Sequence, residues 1–276
     1  MKDEAITIEN WRKLLGRGRF SQYVKFFDDW TRQSSIEAVL KESVPVLMKG
    51  VSSVAYHALL CLGYALDCAS KEEVAFSLAY WASAFYPSPD FDTKSPALEP
   101  DAFFAGIVRS ASTLHIKETD SIDGGIRHVY DREIANLWKP IRIPDSNPLE
   151  KMSALILEIF AKSQHFTLLH ALTSCQALRL VLPYMSDPQK SLSEYWHSVC
   201  AAYHTVSRGR FEVGKDTARS AGQKGKEVFA RAAASETALE HTIKLTYACW
   251  LESEHYKREE YLALASREVE EPSPFV

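Results

Sequence analysis

Apolar residues recur along most of this chain at intervals of three and four, the spacing that places side chains on one face of an α-helix, while alternation at intervals of two is almost absent. In QYVKFFDDW, for instance, Tyr23, Phe26, Phe27 and Trp30 share a face. The pattern predicts helices at about 8–15, 20–32, 34–48, 50–68, 71–85, 100–109, 131–137, 148–162, 164–184, 190–207, 216–232, 234–254 and 257–267. The expected fold class is therefore all-α, a compact multi-helix array forming a single domain over residues 1–276. Prolines gather in YPSPDFDTKSPALEP (86–100) and KPIRIPDSNPLE (139–150), and TDSIDGGIRHVYD links the two through a glycine turn. Because Phe103, Phe104, Ile107 and Val108 keep this stretch apolar, residues 86–148 read as a loop-rich insertion within one helical domain rather than a linker.

Composition narrows the class without identifying it. Hydrophobic residues make up 46% of the 276, ample for a large core, and a net charge of −4 gives no global basic surface for nucleic acid or an anionic membrane. The five cysteines (Cys61, Cys68, Cys175, Cys200, Cys249) are odd in number, scattered through apolar helical stretches and never in a CxxC pair. They suit buried thiols in a reducing cytoplasm. The beginning, MKDEAITIENWRKLL, lacks the apolar core of a secretory signal. The longest apolar run, VAYHALLCLGYAL at 54–66, is shorter than the roughly 20 residues a membrane crossing takes. A cytoplasmic protein without a membrane span is expected, its apolar helices burying one another within the chain or at a homodimer interface. Motifs of the form GxGxxG, GxxxxGK[ST], GxSxG and HExxH are absent, so nicotinamide, flavin and ATP sites of the usual kind have no support.

The nine histidines carry the most chemistry, since neutral imidazole both ligates metals and shuttles protons near neutral pH. His57 shares a predicted helical stripe with Val54, Leu60, Cys61 and Tyr64 and should face the interior, as a core histidine bonded to Tyr64 or as part of a site. His170 lies beside Thr167, Thr173, Ser174 and Ala177, small and hydroxyl-bearing neighbours that leave room for a ligand and offer supporting hydrogen bonds. His165 is about 140° from His170 around the helix and sides with Leu168, Leu169 and Leu172, so the pair does not share one metal undistorted. In LEHTIKLTYACW, His241 and Lys244 stand one turn apart and can address the same cavity; the ordinary alternative pairs Lys244 with Glu240 or leads its ammonium to water. His197 and His204, seven residues apart, align on one helix face, a weak pairing for a site. His115, His128 and His255 fall near loops and ends, and the basic stretch RGRFEVGKDTARSAGQKGK (208–226) reads as a phosphate-binding cluster or a solvated face.

Three segments, VPVLMKGVSSVAYHALLCLGYAL, HFTLLHALTSCQALRLVLP and LEHTIKLTYACW, occur in the order seen in the questin oxidase-like family, and together the chain resembles that family, related to Baeyer–Villiger-type oxidases of fungal aromatic polyketide pathways. The resemblance implies an all-helical oxidoreductase that uses molecular oxygen to oxidise or cleave a polycyclic aromatic ketone such as an anthraquinone. It also implies a site of His57, His170, His241 and Lys244 holding a redox metal, most naturally iron, with NADPH as electron donor. A neutral or carbamylated Lys244 would be a ligand; an ammonium would not. Family members typically begin with a segment bearing an Asn-His-x-Pro-Met-like motif, and this sequence starts after it, so either another residue such as His165 substitutes or the chemistry is altered. Two rival readings stand beside the oxidoreductase: a non-catalytic helical protein that binds a hydrophobic small molecule or a protein partner, and a metal-free acid–base enzyme using His170 or His241 with Tyr64 or Tyr247.

Overall fold

Serine hydroxyls start three of the helices. Ser35, Ser70 and Ser121 each accept a hydrogen bond from the amide three residues on, satisfying donors that the first turn leaves without a helical partner. The computed structural model describes residues 5–90, 96–111, 121–132, 139–206, 224–235 and 239–271. Among these it contains twelve α-helices and no strand; the only sheet-like pairing is an isolated bridge between Leu98 and Ile141. The helices are α1 (Phe20–Gln33), α2 (Ile36–Leu47), α3 (His57–Asp67), α4 (Lys71–Ala84), α5 (Pro100–Ala111), α6 (Ile122–Tyr130), α7 (Pro148–Ser163), α8 (Phe166–Val181), α9 (Pro188–Val206), α10 (Gly225–Ala234), α11 (Glu240–Tyr256) and α12 (Glu260–Glu270). The all-α expectation holds. None of the described helices is long and apolar enough to cross a membrane.

Backbone contacts group the chain into two compact units, one of Met1–Asp145 with Ala177–Ser207, the other of Ser146–Gln176 with Arg208–Val276. In the first, α4 packs against α1, α2 and α3, and α9 packs against α5 and α6. The apolar face of α1 closes an aromatic cluster in which Trp11 meets Phe26, Phe27 and Trp30 at centroid distances of 5.9–6.3 Å, and the Tyr23 hydroxyl donates to the Trp11 carbonyl at 3.0 Å. Gly63 on α3 lies so close to Ala177 that a β-carbon there would sit 2.5 Å from the alanine's own. In the second unit α10, α11 and α12 pack on one another, with Phe229, Tyr247 and Trp250 in ring contact. Ser153 of α7 and Tyr261 of α12 share a buried hydrogen bond of 2.6 Å.

Three elements differ from the sequence reading. Residues 8–15 form a succession of turns, and the helix expected over 50–68 begins only at His57. Residues 122–130, read as a glycine turn, form α6, because Ser121 caps it and Ile126, Val129 and Tyr130 bury a common face. The helix expected at 131–137, the first part of that expected at 216–232, and His115 lie largely or wholly outside the described residues.

Candidate metal centre

Within the second unit, α8 and α11 bring two of the sequence-derived site residues together. His170, on α8, is buried, and the rings of His170 and His241 lie 5.2 Å apart. One nitrogen of each lies within 4.8 Å of the other's. Phe166, the first residue of α8, meets both rings edge-on, at 4.8 Å from His170 and 4.5 Å from His241. Two nitrogens bound to one metal at about 2.1 Å stand some 3–4 Å apart, so a small side-chain rotation brings this pair to ligating distance. Nδ1 of His170 lies 2.9 Å from the Phe166 carbonyl. Only a protonated nitrogen donates to a carbonyl, so this contact fixes the Nδ1–H tautomer and makes Nε2 the lone-pair nitrogen, the arrangement typical of a ligating imidazole. The donor set fits a borderline divalent metal such as iron.

The neighbours of His170 behave differently from the sequence expectation. Thr173 and Ser174 are buried, but their hydroxyls donate to carbonyls of their own helix, Thr173 to Leu169 at 3.0 Å and Ser174 to Ala171 at 3.0 Å. Such back-bonding satisfies the hydroxyls locally rather than through the imidazole. His165 uses Nδ1 to accept the Thr167 amide at 3.2 Å, at the entrance to α8. Lys244, one turn beyond His241, forms an ion pair with Glu240, and its side chain is 22% exposed against 71% for the glutamate. As an ammonium so paired, it offers no lone pair.

His57 belongs to the first unit and opens α3. Its Nδ1 lies 2.7 Å from the Val54 carbonyl, which selects the same tautomer as in His170. The preceding residues are unusual: Val54, Ala55 and Tyr56 have φ of 48°, 55° and 65°, three consecutive left-handed residues without a glycine. A β-branched residue in that region is an outlier, and each such residue costs on the order of 1–3 kcal/mol unless its surroundings enforce it. Here the surroundings do. Asp123 of α6 accepts the Val54 amide at 2.8 Å, Ser53 Oγ accepts the Tyr86 amide at 2.9 Å, and Ser52 and Tyr130 share a hydrogen bond of 2.7 Å. Glycine and proline are the usual signals of such a turn; SSVAYH contains neither, which is why the sequence reading ran the helix through it.

The remaining histidines divide simply. His197 is fully buried, with Nδ1 2.6 Å from the Ser193 carbonyl and Nε2 2.8 Å from that of Lys139, so it ties α9 to the 139–143 segment. Burial pushes its pKa down to about 4 although both carbonyls favour the charged ring, and burial likewise lowers that of His204 to about 4. His128 lies on α6, and His255 packs against Tyr256 at the end of α11. Most of the basic stretch at 208–226 falls outside the described residues. Phe166 and Asp123 are the two residues at these sites that the sequence reading missed.

A family model described as Questin oxidase-like matches residues 1–249 of the chain. No curated protein matches it.

Proposed function

The chain belongs to the questin oxidase-like family, which points to an oxidoreductase with a small-molecule substrate, and from that premise we propose an enzyme that uses molecular oxygen to oxidise or cleave a polycyclic aromatic ketone of the anthraquinone type. The metal is iron, held in the second unit by His170 and His241, with His57 added as a ligand by the family resemblance alone. The observation that carries this reading is the pairing of His170 and His241 around Phe166, with the Nδ1–H of His170 held by a backbone carbonyl. Packing alone does not call for such a pair, because the buried His170 already has ring nitrogens to satisfy and a second imidazole against it adds to that demand. When bound, the metal supplies the redox chemistry that imidazole and amine groups lack.

The chain's own groups do the rest. Val54 and Phe166 carbonyls hold the Nδ1 protons of His57 and His170 and set both rings. Phe166 packs in a T-shaped contact against both imidazoles of the pair. Lys244, ion-paired with Glu240, stands one turn from His241 and offers its ammonium charge and a proton to the oxygen of a bound quinone. It therefore acts as an electrostatic and proton-holding group, and NADPH is the electron donor in this scheme.

Metal analysis of protein purified under mild conditions tests the reading. The expected result is a stoichiometric transition metal in the wild type and its loss in His170→Ala and His241→Ala. A wild-type protein that takes up no iron on anaerobic reconstitution overturns it; co-purification of a coloured aromatic ligand without metal favours a binding protein instead. Retention of metal in His57→Ala removes His57 from the ligand set and leaves the other two.

A further inference from the structure

The left-handed run before His57 is held from one side by a residue to which the proposed chemistry gives no task. Asp123 sits in the first turn of α6 and divides its carboxylate: Oδ1 accepts the Val54 amide at 2.8 Å, and Oδ2 pairs with Arg127 at 2.7 Å. Arg127 is itself fixed, its guanidinium lying 4.5 Å over the Tyr86 ring, while the Tyr86 hydroxyl donates to Asp131 at 2.5 Å. Tyr86 also stacks on Tyr130, whose hydroxyl bonds Ser52. The carboxylate therefore points one way, at the Val54 peptide. The same residue's carbonyl receives both the His57 amide, at 3.1 Å, and the His57 Nδ1 proton, at 2.7 Å.

We propose that Asp123 is a positioning residue for His57: by gripping the Val54 amide it holds the 54–56 turn in its left-handed form and so aims the Val54 carbonyl that fixes the imidazole's tautomer and direction. A capping role at α6 does not account for it, because Ser121 already accepts the Gly124 amide at 3.0 Å and the Arg127 pair uses the other oxygen. Nor does the turn sustain itself. Without a glycine, three successive left-handed residues relax to ordinary backbone once the external hold is removed, and Val54 O then leaves Nδ1. This inference rests on the reading of His57 as a metal ligand, and its test separates the two.

The first measurement uses metal-free protein labelled with 15N-histidine, the His57 signals being assigned by comparison with His57→Gln. In the wild type, His57 is expected to carry its proton on Nδ1, with Nε2 as the lone-pair nitrogen. In Asp123→Ala the ring is expected to become a mixture of tautomers, and the dissociation constant for cobalt(II), read from its visible absorption, to rise about tenfold. Asp123→Asn keeps an oxygen for the Val54 amide and should restore both readouts, which a general loss of stability would not do. Two results overturn the proposal: a wild-type His57 protonated on Nε2, which needs no variant to fold, or an Asp123→Ala protein with unchanged His57 signals and cobalt affinity. If the wild type binds no cobalt while its tautomer still depends on Asp123, the metal reading falls and the positioning role stands.

Discussion

At the scale of single residues, the candidate centre turns on where protons sit. His170 and His57 each spend Nδ1–H on a carbonyl from the residue three or four positions back, so the backbone leaves Nε2 as the lone-pair nitrogen in both. Lys244 is the residue whose role separates readings of the site. Held as an ammonium by Glu240, it should be dispensable for metal binding and needed for turnover. Lys244→Met is therefore expected to retain the metal content of the wild type and to lower kcat by about 10²-fold, typical of losing a proton donor, in a steady-state assay on an anthraquinone-type substrate. Loss of metal in the same variant would make Lys244 a ligand. His170 was picked out in the sequence by its small and hydroxyl-bearing helical neighbours, and His241 and Lys244 by standing one turn apart on a stripe that continues into apolar residues. Phe166 was not: a phenylalanine at a helix start is ordinary packing material until the two imidazoles it touches are known.

At the scale of elements, caps and stripes explain what was readable and local backbone strain explains what was not. The boundaries of α1, α2, α4, α7 and α12 fall within a few residues of those expected, because serine caps, proline starts and amphipathic faces are written in the residues themselves. The start of α3 was hidden because Val54, Ala55 and Tyr56 look like helix formers, and it is Asp123, far away in the sequence, that holds them left-handed. α6 was hidden behind its two glycines, which usually signal a turn. The packing of α3 gives a direct test. A methyl group at Gly63 would meet both Cα and Cβ of Ala177 at under 3 Å, and neither can rotate away. Gly63→Ala should therefore destabilise the protein by about 1–3 kcal/mol, measured as a shift in the urea midpoint at unchanged m-value, although alanine is the better helix former.

At the scale of the molecule, stability should follow the charge state of the buried imidazoles. His197 and His204 have folded pKa values near 4, against 6.5 for a solvated histidine. Since the folded value is the depressed one, the unfolded chain takes up protons first as the pH falls. Stability is therefore fully present above about pH 6.5 and declines towards pH 4, by on the order of 2–3 kcal/mol per histidine. His204→Leu should flatten that decline, seen by comparing urea midpoints at about pH 7.5 and pH 5 with those of the wild type. The all-helical class could be read from periodicity alone, whereas the division into two units could not, because each is assembled from separated stretches of chain. That interleaving has a consequence for synthesis on the ribosome. The first unit is completed by α9, the partner of α5 and α6, and α9 is translated only after residues 146–176, which belong to the other unit, have been made. The two earlier helices thus leave the exit tunnel ahead of the helix that covers them, and their apolar faces are open to chaperones until it follows.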